Sequence, residues 1–227
     1  EKEVLYMRDG FLSRRVSVLL VSLLIVAGFA ALASAQADSS RTYVYEPAPG
    51  VFPHSSGQLW QLRGGSADAI ASVVSVQDSV LRVDTTNGAP SIYWRILGDN
   101  PGWDGVQFPI TLELRLKINK IEGRRAFSFE VTDANQYHAI VNFTDESVQL
   151  GSDPDVYKID TTEWHTYRFE FTPGKATLYV DEDPHPAKIW DIGRNEGRAS
   201  QINFGDTSSG WSGAYDLGYL KYTVYLP

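Results

Sequence analysis

The stretch Thr111–Ile118, TLELRLKI, leaves a chain few choices of fold. Leu112, Leu114, Leu116 and Ile118 fall on one side of an extended backbone, and Glu113, Arg115 and Lys117 on the other. A period of two is the mark of a strand with one face buried and one face wet. The pattern recurs in VLRVDTT (Val80–Thr86), SIYWRIL (Ser91–Leu97), AFSFEVTD (Ala126–Asp133) and QYHAIVNFT (Gln136–Thr144). In TYRFEFTPGKATLYV (Thr166–Val180), Tyr167, Phe169 and Phe171 share a face, TPGK turns the chain, and Ala176, Leu178 and Val180 return to that face. That is a β-hairpin. Turn signals such as TNGAP, GDNPGWDG, SDPD and DEDPHP separate the segments. About a dozen short strands in one chain of this length read as an all-β, antiparallel two-sheet sandwich or jelly roll. Only Ser66–Val76 competes as a helix, and its β-branched end makes a strand equally acceptable.

Composition narrows the function classes. Aromatic residues make up 12% of the chain, which suits packing between pleated sheets. Cysteine is absent, so no disulfide framework or thiolate metal site is available. The net charge is −8 and no Lys/Arg cluster stands out, which argues against a nucleic-acid partner.

The first 37 residues read as an export signal. Arg8, Arg14 and Arg15 precede the uncharged run Val16–Ala33, and Ala33-Ser34-Ala35 or Ala35-Gln36-Ala37 offers small residues for cleavage. Met7, the only methionine, is read as the start. The alternative is a retained anchor, since about 20 apolar residues cross a bilayer. Cleavage would leave one domain, 38–227, with a net charge of −9, secreted, periplasmic or at the cell surface and without stable membrane insertion. Residues 1–37 carry four basic and three acidic groups.

Candidate site residues follow from strand parity. Tyr93, Arg95, Glu113, Arg115, Ser128, Glu130, His138, Asn142, Arg168, Glu170 and Tyr179 all fall on the polar side of their strands. If they lined one concave sheet they would offer planar donors, acceptors and rings to a sugar. The alternative is a solvated outer face with cross-strand ion pairs. His165 begins a strand and is expected to be a hydrogen-bonded structural residue. Two Trp residues lie on Gly-flanked loops: Trp103 is expected to cap the sandwich, and Trp211 stays open between capping and sugar stacking.

Three blocks also carry a resemblance. VYKIDTTEWHTYRFEFTPGKATLYVDEDP, SQINFGDTSSGWSGAYDLGYLKYT, and VLRVDTT…YWRI followed by ITLELRLKI resemble strand pairs of concanavalin A-like lectin/glucanase jelly rolls, especially bacterial laminin G-like domains. Together they span most of residues 80–223. Glu182 stands where these domains usually place Gly after the Asp, here Asp181. The resemblance implies a concanavalin-like jelly roll that recognises a polysaccharide or other glycan. It also implies a structural Ca²⁺, for which Asp216 matches the position of a carboxylate ligand. The glucanase pattern E-x-D-x-x-E is absent, and so are the lyase patterns R-x-E-x-R and Q-I-H, although Gln201-Ile202-Asn203 comes near the last. The expectation is therefore a lectin-like module binding through Tyr93, Arg95, Glu113, Arg115, Glu130, His138, Asn142, Arg168, Tyr179 and Trp211. One alternative is a polysaccharide hydrolase or lyase using Glu113, Glu130 or His138. The other is an adhesion domain of the laminin G-like kind.

Overall fold

In the computed structural model, which describes residues 40–100, 102–207 and 211–225, every alternating segment forms a strand. The expected export signal, 1–37, lies outside the described residues. The strands are β1 (Ser40–Tyr45), β2 (Gln61–Arg63), β3 (Val74–Gln77), β4 (Val80–Asp84), β5 (Tyr93–Leu97), β6 (Gln107–Glu122), β7 (Phe127–Thr132) and β8 (His138–Phe143). They continue as β9 (Ser147–Leu150), β10 (Tyr157–Lys158), β11 (His165–Thr172), β12 (Lys175–Val180), β13 (Lys188–Asp191), β14 (Gln201–Gly205) and β15 (Ser212–Tyr225). The ambiguous Ser66–Val76 resolves into both forms: helix α1 over Ala67–Val73, then β3 from Val74, where the β-branched residues favour extension. Among the described residues no helix is long and apolar enough to cross a membrane.

Two antiparallel sheets result. One has the order β13-β12-β11-β6-β15-β4-β3, with β1 also paired to β15; the other has the order β10-β9-β8-β7-β14-β5-β2. The long strands β6 and β15 form the spine of the eight-stranded sheet, and their extra length lets β4 and β1 pair with different halves of β15.

The inward faces meet in an aromatic core. Phe129 packs edge-on against Phe169, with ring centroids 4.9 Å apart, Phe143 against Tyr167 at 5.0 Å, and Phe127 against Tyr215 at 4.9 Å. In each pair one ring comes from each sheet. Edge-to-face pairs add about 0.5–1.5 kcal/mol beyond area burial. Trp103 is fully buried, donates from Nε1 to Ser200 Oγ at 3.0 Å and packs edge-on to Tyr222, so it closes the core as a cap.

Turn chemistry sets the hairpins. Gly174, at φ +88°, follows Pro173 and supplies the left-handed position that turns β11 into β12. Past β12, Asp181 and Glu182 both take positive φ, at 52° and 62°, and Asp183 N–H donates to Val180 O. The turn therefore keeps the left-handed geometry that a glycine would fill without strain, with Glu182 in its place.

Candidate functional site

The outer face of the seven-stranded sheet is built by the same alternation that makes the core. In β7, Phe127, Phe129 and Val131 point inward, leaving Ser128, Glu130 and Thr132 outward. In β14, Ile202 and Phe204 fill the core while Gln201 and Asn203 face out. In β5, Trp94 and Ile96 are buried, and Tyr93 and Arg95 take the outer side. Antiparallel register then sets these side chains in rows. Glu130 lies opposite Asn203, Asn203 opposite Arg95, and Arg95 opposite Gln61. One row along, His138 lies opposite Thr132 and Thr132 opposite Gln201. One row the other way, Asn142 lies opposite Ser128, and Tyr93 opposite Arg63.

Several of these outward side chains are nonetheless buried, while Gln61, Tyr93, Arg95 and His138 are half-buried and Arg63 is exposed. Glu130 is only 6% exposed, and Ser128, Thr132, Asn142, Gln201 and Asn203 are also buried. A charge withdrawn from water must be paired and hydrogen-bonded, and Glu130 is. Its Oε1 accepts from Arg198 Nε and Gln201 Nε2, both at 2.7 Å, and its Oε2 accepts from Asn203 Nδ2 at 3.0 Å. His138 Nδ1 lies 3.6 Å from Glu130 Oε1 and 2.9 Å from Thr132 Oγ1. Burial lowers the His138 pKa; the Glu130 carboxylate opposes that shift and the Arg198 guanidinium adds to it. The ring is therefore neutral at pH 7.

At one end, Asn142 accepts from Arg125 Nη1 and donates from Nδ2 to Gly151 O at 2.7 Å. The Arg125 guanidinium stacks over the Trp211 ring at 4.5 Å. Burial lowers the pKa of Arg125, against the pull of Asp206 and Glu130. Two buried atoms of the face have no hydrogen-bond partner, Asn203 Oδ1 and Arg95 Nε, and their residues sit directly opposite each other.

The candidates that parity placed together are divided between two faces. Tyr93, Arg95, Glu130, His138 and Asn142 share the outer face of the seven-stranded sheet, and Trp211 joins its rim through Arg125. Glu113, Arg115, Arg168, Glu170 and Tyr179 lie on β6, β11 and β12, on the outer face of the eight-stranded sheet. The expectation of a single sheet lined by all of them is corrected here, because their strands belong to different sheets. Glu113 and Glu130 consequently point away from each other across the whole sandwich.

On its own face, Glu113 accepts from Tyr219 Oη at 3.0 Å and lies 3.8 Å from Lys221 Nζ. Arg168 pairs with Glu170 and stacks over Tyr179, while Arg115 stacks over Trp164. His165 places Nδ1 2.6 Å from Asp181 Oδ2 and Nε2 3.0 Å from Asp160 O, so both ring nitrogens clamp neighbouring loops. Asp216 lies opposite Lys117 on β6 and Arg82 on β4. Among the described residues no group of three or more His, Cys, Asp or Glu side chains converges on a common point.

Parity did not bring Gln201, Asn203, Arg198 or Arg125 forward. Gln201 and Asn203 flank the inward Ile202, so the alternation of QINFG carried that signal. Arg198 and Arg125 lie on connections between strands, which no periodicity marks.

No family model matches the sequence, and no curated protein matches it. Among solved structures, a prokaryotic β-1,3-1,4-glucanase (lichenase) from a mouse hindgut metagenome superposes with a TM-score of 0.50 at 14% identity, over 82% of this chain and 99% of that one. A protein of unknown function from Shewanella oneidensis MR-1 also gives 0.50, at 10% identity, over 84% and 89%. A Bacillus licheniformis β-glucanase gives 0.49 at 16% identity, over 82% and 99%. What the chain shares with the first two is the fold, a two-sheet antiparallel β-sandwich.

Proposed function

We propose that this chain is an exported carbohydrate-binding protein that holds a polysaccharide on the outer face of the seven-stranded sheet, around Glu130. One observation carries the reading. A row of amides and a carboxylate is buried on the side of a sheet that points away from the core, beside the half-buried Arg95, and Asn203 Oδ1 and Arg95 Nε in it are buried atoms with no partner. Buried polar groups are almost always satisfied, and an unsatisfied one costs about 1–3 kcal/mol. Sugar hydroxyls both donate and accept, so they complement such a row. The fold shared with a protein described as a lichenase supports a polysaccharide as the class of ligand.

Binding is favoured over hydrolysis by the count of carboxylates. Glycoside hydrolysis canonically takes two, about 5–9.5 Å apart. Among the described residues, the strands of this sheet place Glu130 alone on the outer face, and its oxygens already hold three side-chain donors. Glu130 thus orders the donors around it rather than attacking a bond.

The test is affinity electrophoresis of the purified protein against a broad panel of polysaccharides, with and without chelator, followed by product analysis of each polymer bound. Retardation without shortened products supports the reading, and chelator sensitivity would assign a metal to binding. Shortened products would make the protein an enzyme. No retardation by any polymer would leave the adhesion-domain alternative.

A further inference from the structure

The Glu130 face has a charge character that the whole chain does not. The chain carries a net charge of −8. Yet Arg63 and Arg95 project from β2 and β5 on this side, Arg125 reaches across to Asn142, and Arg198 reaches to Glu130. Glu130 is the one carboxylate on the strands of this face, and Asp206 approaches Arg125 from the end of β14. Four guanidinium groups against these two carboxylates make a cationic surface on an acidic protein. Of its two unpartnered buried atoms, Asn203 Oδ1 is an acceptor and Arg95 Nε is a cationic donor open to an anion. A neutral glucan is commonly held on open aromatic rings, but one side of the Trp211 ring is covered by Arg125.

We propose that the ligand of this face is an acidic polysaccharide, whose carboxylate or sulfate groups pair with Arg63, Arg95, Arg125 and Arg198. The planar guanidinium fork matches either anion with two parallel hydrogen bonds. The Arg198 side chain is 42% exposed, so a ligand anion can reach it and take the place of Glu130 while Gln201 and Asn203 continue to hold the carboxylate. This inference rests on the carbohydrate-binding reading above.

The experiment runs the purified protein through gels holding polygalacturonate, dextran sulfate or barley β-1,3-1,4-glucan, at about 50 mM and about 500 mM NaCl. An acidic protein is repelled by a polyanion in general, so retardation reports a local cationic site. The expected result is retardation by at least one acidic polymer, about tenfold weaker at the higher salt because screening shortens the reach of the charges. Which acidic polymer is held separates carboxylate from sulfate. Arg63→Ala and Arg198→Ala should each weaken binding about tenfold, and an unchanged unfolding midpoint for Arg63→Ala shows that the loss is not misfolding. Lys175→Ala, which removes a cation from the other sheet, should leave binding unchanged. Three results would overturn the proposal: retention by the neutral glucan alone, loss equal to that of Arg63→Ala in Lys175→Ala, or no retention by either acidic polymer. The first of these leaves carbohydrate binding standing, whereas failure of the whole polysaccharide panel removes both.

Discussion

The outer faces of the two sheets draw on the same kinds of residue and treat them oppositely. On the eight-stranded sheet, Arg168 and Glu170 pair with each other at 33% and 40% side-chain exposure, and Glu113 takes Tyr219 and Lys221. Charges there meet partners along or across strands while still in contact with water. On the seven-stranded sheet, a single carboxylate at 8% side-chain exposure gathers Arg198, Gln201 and Asn203, and a donor and an acceptor nearby are left over. Exposed pairs contribute little, because water competes for each partner. A buried network costs much when broken, because the stranded groups have no water to turn to. The first arrangement suits a solvated surface. The second suits a surface completed by something else.

The largest expected difference comes from deleting the two glutamates. Glu130→Ala strands the buried amides of Gln201 and Asn203 and frees Arg198, and should lower unfolding free energy by about 3 kcal/mol. Glu113→Ala should cost less than about 1 kcal/mol. Urea denaturation of both variants measures this, and equal losses would erase the contrast between the faces.

A smaller effect, of opposite sign, is expected beside the eight-stranded sheet. Glu182 holds φ +62° with a side chain that disfavours it. Glu182→Gly should raise stability by about 0.5–1 kcal/mol with no effect on polysaccharide binding. A loss of stability, or altered binding, would mean that this turn does more than reverse the chain.

The smallest effect is in pH dependence. His138 is held below its ordinary pKa of 6.5 by burial, so the unfolded chain takes up its proton first as pH falls. Where the unfolded state binds more protons, stability rises with pH. Stability should therefore fall as pH drops below about 6.5, and should stop falling on this account once the folded-state ring is itself protonated. His54, also lowered by burial, acts in the same direction. His138→Gln should flatten part of the slope measured by thermal unfolding across this range. An unchanged slope would place its origin elsewhere.

Much of the fold was legible because alternation is local. The strands around Leu114, Phe129, Val141 and Phe169 each declare which residues go inward, and the buried positions follow them. Glu130 and His138 were legible as outward-facing for the same reason, and Gln201 and Asn203 were legible in the same way although parity did not single them out. Arg198 was not, since a connection between strands has no period. Nor was the division of the candidates between two faces.

The sequence by itself determined the all-β class, the inward and outward sides of the alternating strands around Leu114, Phe129, Val141 and Phe169, and the hairpin at Pro173-Gly174. Each of these depends on neighbours a few residues apart. Only the tertiary structure decided that β7, β8, β5 and β14 share one sheet while β6, β11 and β12 share the other. Glu113 and Glu130 carry the same local signature, an acid between apolar residues on a strand. What separates them is which strands lie alongside: β14 sets Asn203 beside Glu130, and β15 sets Lys221 beside Glu113. Strand pairing is settled by contacts far apart in the chain, so the chemistry of each face is settled there as well.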